Sequence, residues 1–384
     1  MSSSNAIKIN AIEEATYGVT PATGNFKTAR FISESLSGTP QTVRSTEIHS
    51  DRTSSGQVQV GLDVGGDINT ELAADSLQQD FIRAAMMQKV ASAAVEITGE
   101  AIVVDPIGKT LTFENAPDLV AGDLIILSGF TEEKNNGLAY VKSISGLEVT
   151  IGKEMIASET SEITAIVSKA AKISVGTDIV SFSMCKDFTD LTEKSIDYLG
   201  MIVNTMSINM QHGAIADAVF GFMGNGYDNS ASTVMTDGRT IDPASTVAPF
   251  NATSDISGVF IDGEIADFCL QSLKIDLQNG LTPQVCMGRL APRTYSLGTA
   301  NVTVSGSAYI SDENWYLLEK KLTQEPVSIV YGAQNQDGGL IVAVRGAQLS
   351  FVDPGAKGQD QQVSIEFSGA AKTVDSGYFD IYYW

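Results

Sequence analysis

The chain has 384 residues, 43% of them hydrophobic, with 35 glycines and a formal net charge of −22 from 46 acidic and 24 basic side chains. That size allows two or three domains with real cores and excludes a small peptide scaffold, and the glycines with many short alternating runs favour an all-β architecture. So acidic a chain has no basic surface to grip nucleic acid, and DNA beside it would be tolerated rather than held.

Met1 to Asn10 lack a basic n-region and an apolar h-region, and no run of about eighteen apolar residues follows, so a soluble cytoplasmic chain without membrane insertion is expected. Residues 1–33 read as an extended arm that orders only against a partner surface. Val43 to Ile48 and Gln57 to Val64 read as strands. In the second, Val58, Val60, Leu62 and Val64 alternate with Gln57, Gln59, Gly61 and Asp63. From Thr70 to about Lys89, Leu72, Leu77, Phe81, Ile82, Ala85 and Met86 keep helical spacing, with Thr70 or Ala74-Asp75 as starts. Residues 34–91 with 177–224 form a first unit, interrupted by 92–176, whose short, evenly spaced strands read as a small β-barrel or sandwich.

Within the first unit, Tyr198 to Gly224 reads as a long hairpin. Ile202, Met206, Ile208 and Met210 lie on one face of its first strand, and Thr205, Ser207, Asn209 and Gln211 on the other. The polar stretch 225–257 is a linker or functional loop, and 258–384 a second unit. The second repeats the first: an offset of 237 pairs Ser35-Leu36 with Ser272-Leu273, Gln41 with Gln278, Arg52 with Arg289, Asp75 with Asp312 and Phe81 with Leu318. Its helix, Ser311 to Leu322, has Trp315, Leu318 and Leu322 on one face. Gly200 to Val203 then matches Gly339 to Val342, and Phe220 to Gly224 matches Ile365 to Gly369. The expected fold is therefore all-β with minor α: two tandem sandwich or barrel-forming units, each with one helix, plus the inserted module.

The chemistry is sparse. His49 and His212 have no partner at metal-ligand spacing, so no metal and no cofactor is expected, and without a G-x-S-x-G elbow no catalytic residue is assigned. Cys185, Cys269 and Cys286 are an odd, scattered set that reads as buried free thiols. The pairs Glu13-Glu14 and Glu132-Glu133 read as solvated charge, and the aromatic end Tyr378 to Trp384 as closing a sheet or covering a neighbouring subunit.

Several motifs in order carry a resemblance. These are Glu13-Glu14-Ala15-Thr16-Tyr17-Gly18-Val19-Thr20-Pro21; Glu34-Ser35-Leu36 with Ser45-Thr46-Glu47-Ile48 and Ser50-Asp51-Arg52; Gly66-Asp67-Ile68 leading to Glu71-Leu72; and Lys186-Asp187-Phe188-Thr189 with Tyr198-Leu199-Gly200-Met201. Together they resemble tail tube proteins of long-tailed, siphophage-type bacteriophages, most clearly over 11–90 and 180–225. The resemblance implies a structural virion protein stacked in rings around a channel, with the tape measure protein inside, tail terminator and tail tip proteins at the ends, and DNA passing through non-specifically. If six units close a ring, as it implies, three chains suffice; six chains is the alternative. By parity Gln57, Gln59, Asp63, Thr205, Ser207 and Asn209 would then face the lumen, and Val58, Val60, Leu62, Met206, Ile208 and Met210 the core. The competing reading is a glycan-binding adhesin-like β-protein.

Overall fold

The computed structural model describes residues 3–50, 53–162, 165–192, 194–229, 235–236, 238–266, 269–353, 363–374 and 377–384. Asp51 and Arg52, and residues 230–234 and 237 of the expected loop, lie outside the described residues. The molecule is mostly strand with two α-helices among the described residues, and no barrel closes within the single chain.

Six strands build the first unit: β1 (Ile7–Glu13), β2 (Ser37–Arg44), β3 (Gln57–Glu71), β4 (Ser181–Phe188), β5 (Ser195–Gln211) and β6 (Asp217–Gly224). All pair antiparallel, in the spatial order β1-β4-β5-β6-β3-β2. Six more build the second: β7 (Ile256–Ile261), β8 (Leu270–Gln278), β9 (Asn301–Tyr309), β10 (Pro326–Asn335), β11 (Gly338–Val352) and β12 (Ser364–Ala371). Their order is β7-β10-β11-β12-β9-β8, the same plan strand for strand. A last strand, β13 (Phe379–Tyr383), pairs with β11 and with Ala171–Ser174. The aromatic end thus closes a sheet, and Phe379, Ile381 and Tyr382 are fully buried.

The units correspond in topology, but not at the residues sequence matching pairs. The β4·β5 ladder breaks register between Phe182 and Met184, and the β10·β11 ladder between Val327 and Ile329. Aligned on that shared irregularity, Met201, opposite Phe182, corresponds to Ala347, opposite Val327, rather than to Leu340. Repeated Gly and Val invite a false register where burial alone sets the side-chain type.

Helix α1 (Ser76–Ala85) follows β3, as α2 (Trp315–Thr323) follows β9. Asp75 caps α1, its carboxylate accepting from the Leu77 N–H at 3.2 Å. The helix is shorter than its spacing predicts, because Thr70 and Glu71 belong to β3, paired with Ala218 and Asp217, and Met87 adopts a positive φ. Phe81 anchors it, its ring 5.2 Å from Phe182, 5.5 Å from Phe220 and 5.2 Å from Phe222. In α2 the buried position is Leu317, not the expected stripe: Trp315 is 54% and Leu322 90% exposed. A 3-10 turn at Asp312–Asn314 precedes the helix, in which the Asn314 amide oxygen accepts from the Ser311 N–H at 2.9 Å.

The expected N-terminal arm is not loose. β1 pairs with β4 over its whole length and buries Ile9 and Ala11 completely, because the edge of β4 offers a full ladder that composition does not reveal. The linker region is also fastened: Gly226–Asp228 pairs with β5, and Phe250 is buried in the main core. Between α1 and β4, eight short strands form a separate sheet around its own core, including Ile102, Leu111, Phe113, Val141 and Val149. That module sits on the second unit, where Leu124, Leu138 and Ala170 bury Phe260, Val330, Ile341, Ala343 and Tyr382.

Candidate functional site

The two units join edge to edge. The first half of β5 is paired by β4, and its second half, Thr205 to Gln211, pairs antiparallel with β8. One sheet therefore runs β2-β3-β6-β5-β8-β9-β12-β11 across both units.

Partners across a ladder share a face, so the register assigns one side chain by side chain. One row runs Asn69, Val219, Ser207, Asp276, Thr303, Ala370 and Gln348; the next runs Glu71, Asp217, Asn209, Lys274, Ser305, Ser368 and Ser350. The reverse face is the core: Ile68, Phe220, Ile208, Ile275, Val304 and Leu349 are each no more than 4% exposed. Alternation of polar and apolar residues alone produces this division, since one side of every strand meets the helices and outer strands and the other does not.

The polar face is acidic. Its strands carry Asp63, Asp67, Glu71, Asp217, Asp276 and Glu366 against Lys274, whose Nζ is 2.9 Å from Asp276. Asp217 accepts from the Asn209 amide at 3.0 Å, and Asp63 from the Gln41 amide at 2.5 Å. Arg30 reaches Glu71 at 3.6 Å.

Asp63, Thr205, Ser207 and Asn209 lie on this face, and Met206, Ile208 and Met210 are buried on the other. The remaining assignments need correction. A bulge between Gln41 and Thr42 pairs Thr42 with Gln59 and Arg44 with Gln57, which reverses parity beyond Gly61. Gln57 and Gln59 therefore turn to the opposite side from Asp63. Val58 and Val60, expected in the core, are 62% and 52% exposed, because the bulge leaves Val60 unpaired and turns Val58 to the Asp63 side. Leu62 is half-buried against the core.

Sequence reasoning also missed a buried anchor. Glu14, read as solvated, is 6% exposed. It accepts from the Ser181 hydroxyl at 2.6 Å, the Ser183 hydroxyl at 2.7 Å, the Gly18 N–H at 2.6 Å and the Gly200 N–H at 2.9 Å. Both glycines have positive φ, which lets their amides turn onto the carboxylate. The Glu13 to Pro21 motif is thus a clasp fixing the N-terminal segment to β4 and β5, and Glu13 itself pairs with Arg83 at 2.7 Å. The only signal was an acid beside a Tyr-Gly turn.

Of the cysteines, Cys185 is buried as expected, its thiol pushed up by burial, whereas Cys269 and Cys286 are exposed. His49 contacts the Ser55 hydroxyl at 2.5 Å and lies 3.6 Å from Glu47. Among the described residues no group of three or more His, Cys, Asp or Glu side chains could hold a metal ion, and no helix is long and apolar enough to cross a membrane.

Two topologically alike β units present one broad, acidic, hydrogen-bonding sheet face and, among the described residues, no metal cluster. The chain is a member of the phage tail tube protein family, whose model matches residues 4–371. Among curated proteins none matches it. It is accordingly a structural component of the phage tail, assembling with itself into the tube alongside other tail proteins.

Proposed function

We propose that three chains form each ring of the tube, with the continuous polar face lining the channel, and that DNA passes from capsid to host cell through the stacked rings. The observation that carries this reading is the β5·β8 ladder, which already makes one chain a fused pair of equivalent units. Three fused pairs supply six units, and closed cyclic symmetry needs only one further kind of junction. An acidic lining repels the phosphate backbone and so prevents sticking, where a basic one would hold it. Asp63, Thr205, Ser207 and Asn209 are the lumen residues of this reading.

The organisation follows: 34–91 with 177–224 and 258–384 are tube domains, and 92–176 is a module on the outside. Its placement on the outer strands of the second unit, away from the polar face, supports that position. The tail is of siphophage type. The tape measure protein occupies the lumen during assembly, terminator and tip proteins cap the tube, and the chain is made in the host cytoplasm before entering the virion.

Native mass spectrometry of rings, or ring-averaged electron microscopy of purified tubes, tests the stoichiometry. Three copies of the 40.7 kDa chain per ring are expected, and six copies would refute it.

A further inference from the structure

The segment between β8 and β9 leaves the second unit and crosses onto the first. Leu281 and Tyr295 pack there with Met87 and Ile202, the Tyr295 hydroxyl donates to the Gly224 carbonyl at 2.8 Å, and the Asn279 amide donates to the Ala85 carbonyl at the end of α1 at 2.8 Å. The Leu281 N–H donates to the Asn204 side-chain oxygen at 3.0 Å, and the Leu62 N–H to the Leu290 carbonyl at 2.8 Å. With the β5·β8 ladder, this crossing segment ties one unit to the other.

Tyr17, from the N-terminal segment, packs on the same cluster. The Glu14 carboxylate seats it, taking the N–H of Gly18, one residue beyond Tyr17, and the N–H of Gly200 on β5. A Cβ at Gly200 would come within 3.1 Å of the Tyr17 ring, so Gly200 carries both the clasp and the floor beneath the ring. Burial raises the pKa of the Tyr17 hydroxyl, and Tyr295 and then Glu14 raise it further, as befits a phenol set between the crossing segment and the clasp.

Two opposed forces meet in this segment. The Tyr17 hydroxyl is buried without a hydrogen-bond partner, whereas the Tyr295 hydroxyl has one. In water the Tyr17 hydroxyl would be hydrogen-bonded, so its own chemistry favours leaving the seat. Against it stand four donors on the buried Glu14 carboxylate, from Ser181, Ser183, Gly18 and Gly200, and hydrogen bonds to an ionised acceptor are the stronger kind.

We propose that residues 14–21 form a strap that locks the crossing segment onto the first unit and is loaded toward release: Glu14 holds it shut, and the unpaired Tyr17 hydroxyl draws it toward water. On release Tyr17 withdraws from Leu281 and Tyr295, and the crossing segment loosens while the β5·β8 ladder stays paired. Every contact of the strap lies within one chain, so the lock is independent of how many chains form a ring.

Hydrogen exchange on the full-length chain reads both ends of the lock. Glu14→Gln should speed exchange across 279–297 about tenfold or more, although the hydrogen bonds of Glu14 all lie in the first unit. Tyr17→Phe removes only the unpaired hydroxyl, so it should slow exchange across 279–297 and, combined with Glu14→Gln, return it toward the parental rate. Coupling is reciprocal, so Tyr295→Phe should speed exchange of the Gly18 and Gly200 amides. The module at 95–169 serves as the internal control and should keep its parental rate in every variant. Parental exchange across 279–297 in folded Glu14→Gln overturns the lock, and so does exchange that rises equally in the module, which marks general destabilisation. Faster exchange in Tyr17→Phe overturns the loading, because it shows the hydroxyl to be hydrogen-bonded. If Glu14→Gln does not fold, the two tyrosine variants decide alone: Tyr295→Phe leaving the Gly18 and Gly200 amides at the parental rate overturns the proposal.

Discussion

Reversing charge on the polar face tests whether DNA moves past it. Asp63 and Asp67 sit four residues apart on one face of β3, and both are exposed. The double substitution Asp63→Lys with Asp67→Lys leaves four acids against three lysines on strands that now carry six against one. In a ring of three chains this places six new lysines around the channel. Six to ten lysine–phosphate contacts change affinity by roughly 10³ to 10⁵ between 50 and 200 mM salt. The variant tube should therefore assemble normally but release DNA slowly at low salt and recover as salt rises, whereas the parent's ejection should show little salt dependence over the same range. The assay is time-resolved DNA release from purified virions triggered at several ionic strengths. Normal assembly with parental ejection at 50 mM salt would refute the lining assignment. Failed assembly would refute it too, by showing that these positions are buried between subunits.

Other outcomes follow from packing and charge. Phe81→Ala should cost about 3–5 kcal/mol in denaturant unfolding, since the ring is enclosed by three phenylalanines, while Leu318→Ala, at a half-buried counterpart, should cost about 1–2 kcal/mol. Arg345→Ala should destabilise by about 3–5 kcal/mol, because it strands the buried Asp380 carboxylate 2.9 Å away; a loss under about 1 kcal/mol would show that Lys172, 3.2 Å from the same carboxylate, compensates. Burial raises the Asp197 carboxyl above 3.8, so its folded form prefers the proton. That contribution is complete below 3.8 and is lost as pH rises through the raised value, so melting temperature should fall more steeply across that window than in Asp197→Asn; parallel curves would contradict it. Deleting 95–169 uncovers Phe260, Val330, Ile341, Ala343 and Tyr382, so the shortened chain should bind hydrophobic dyes and aggregate; soluble tubes from the plain deletion would show the module to be dispensable cover.

Local periodicity made much of the fold legible. The presence of both helices and the long hairpin of β5 and β6 follow from spacing that burial imposes on neighbouring residues. What resisted reading depends on partners far away in the chain. The bulge at Gln41 and Thr42 adds one residue on β3, and a single residue is enough to send Gln57 and Val58 to opposite sides from those parity assigns. β1 looks like an arm until β4, more than a hundred and sixty residues later, supplies its ladder. Glu14 is acidic and hence reads as solvated until two serines and two amides converge on it. The exposed Leu322 and Ile48 are apolar, so composition alone could not tell them from core residues.

The inserted module bears on how such a duplication diverges. It enters the chain in the first unit, between α1 and β4, yet its apolar contacts are with β7, β10, β11 and β13 of the second. Arg345 on β11 reaches across to the Gly122 carbonyl at 2.8 Å, and Lys142 pairs with Glu264 beside β7. The first unit has no such cover, and its outer strands bury polar groups instead, with Ser181 and Ser183 on β4 bonded to Glu14. The two outer surfaces are thus no longer interchangeable. Together with the β5·β8 ladder, which joins the second unit to the first through a fixed edge, this specialisation makes the two units of the chain distinct.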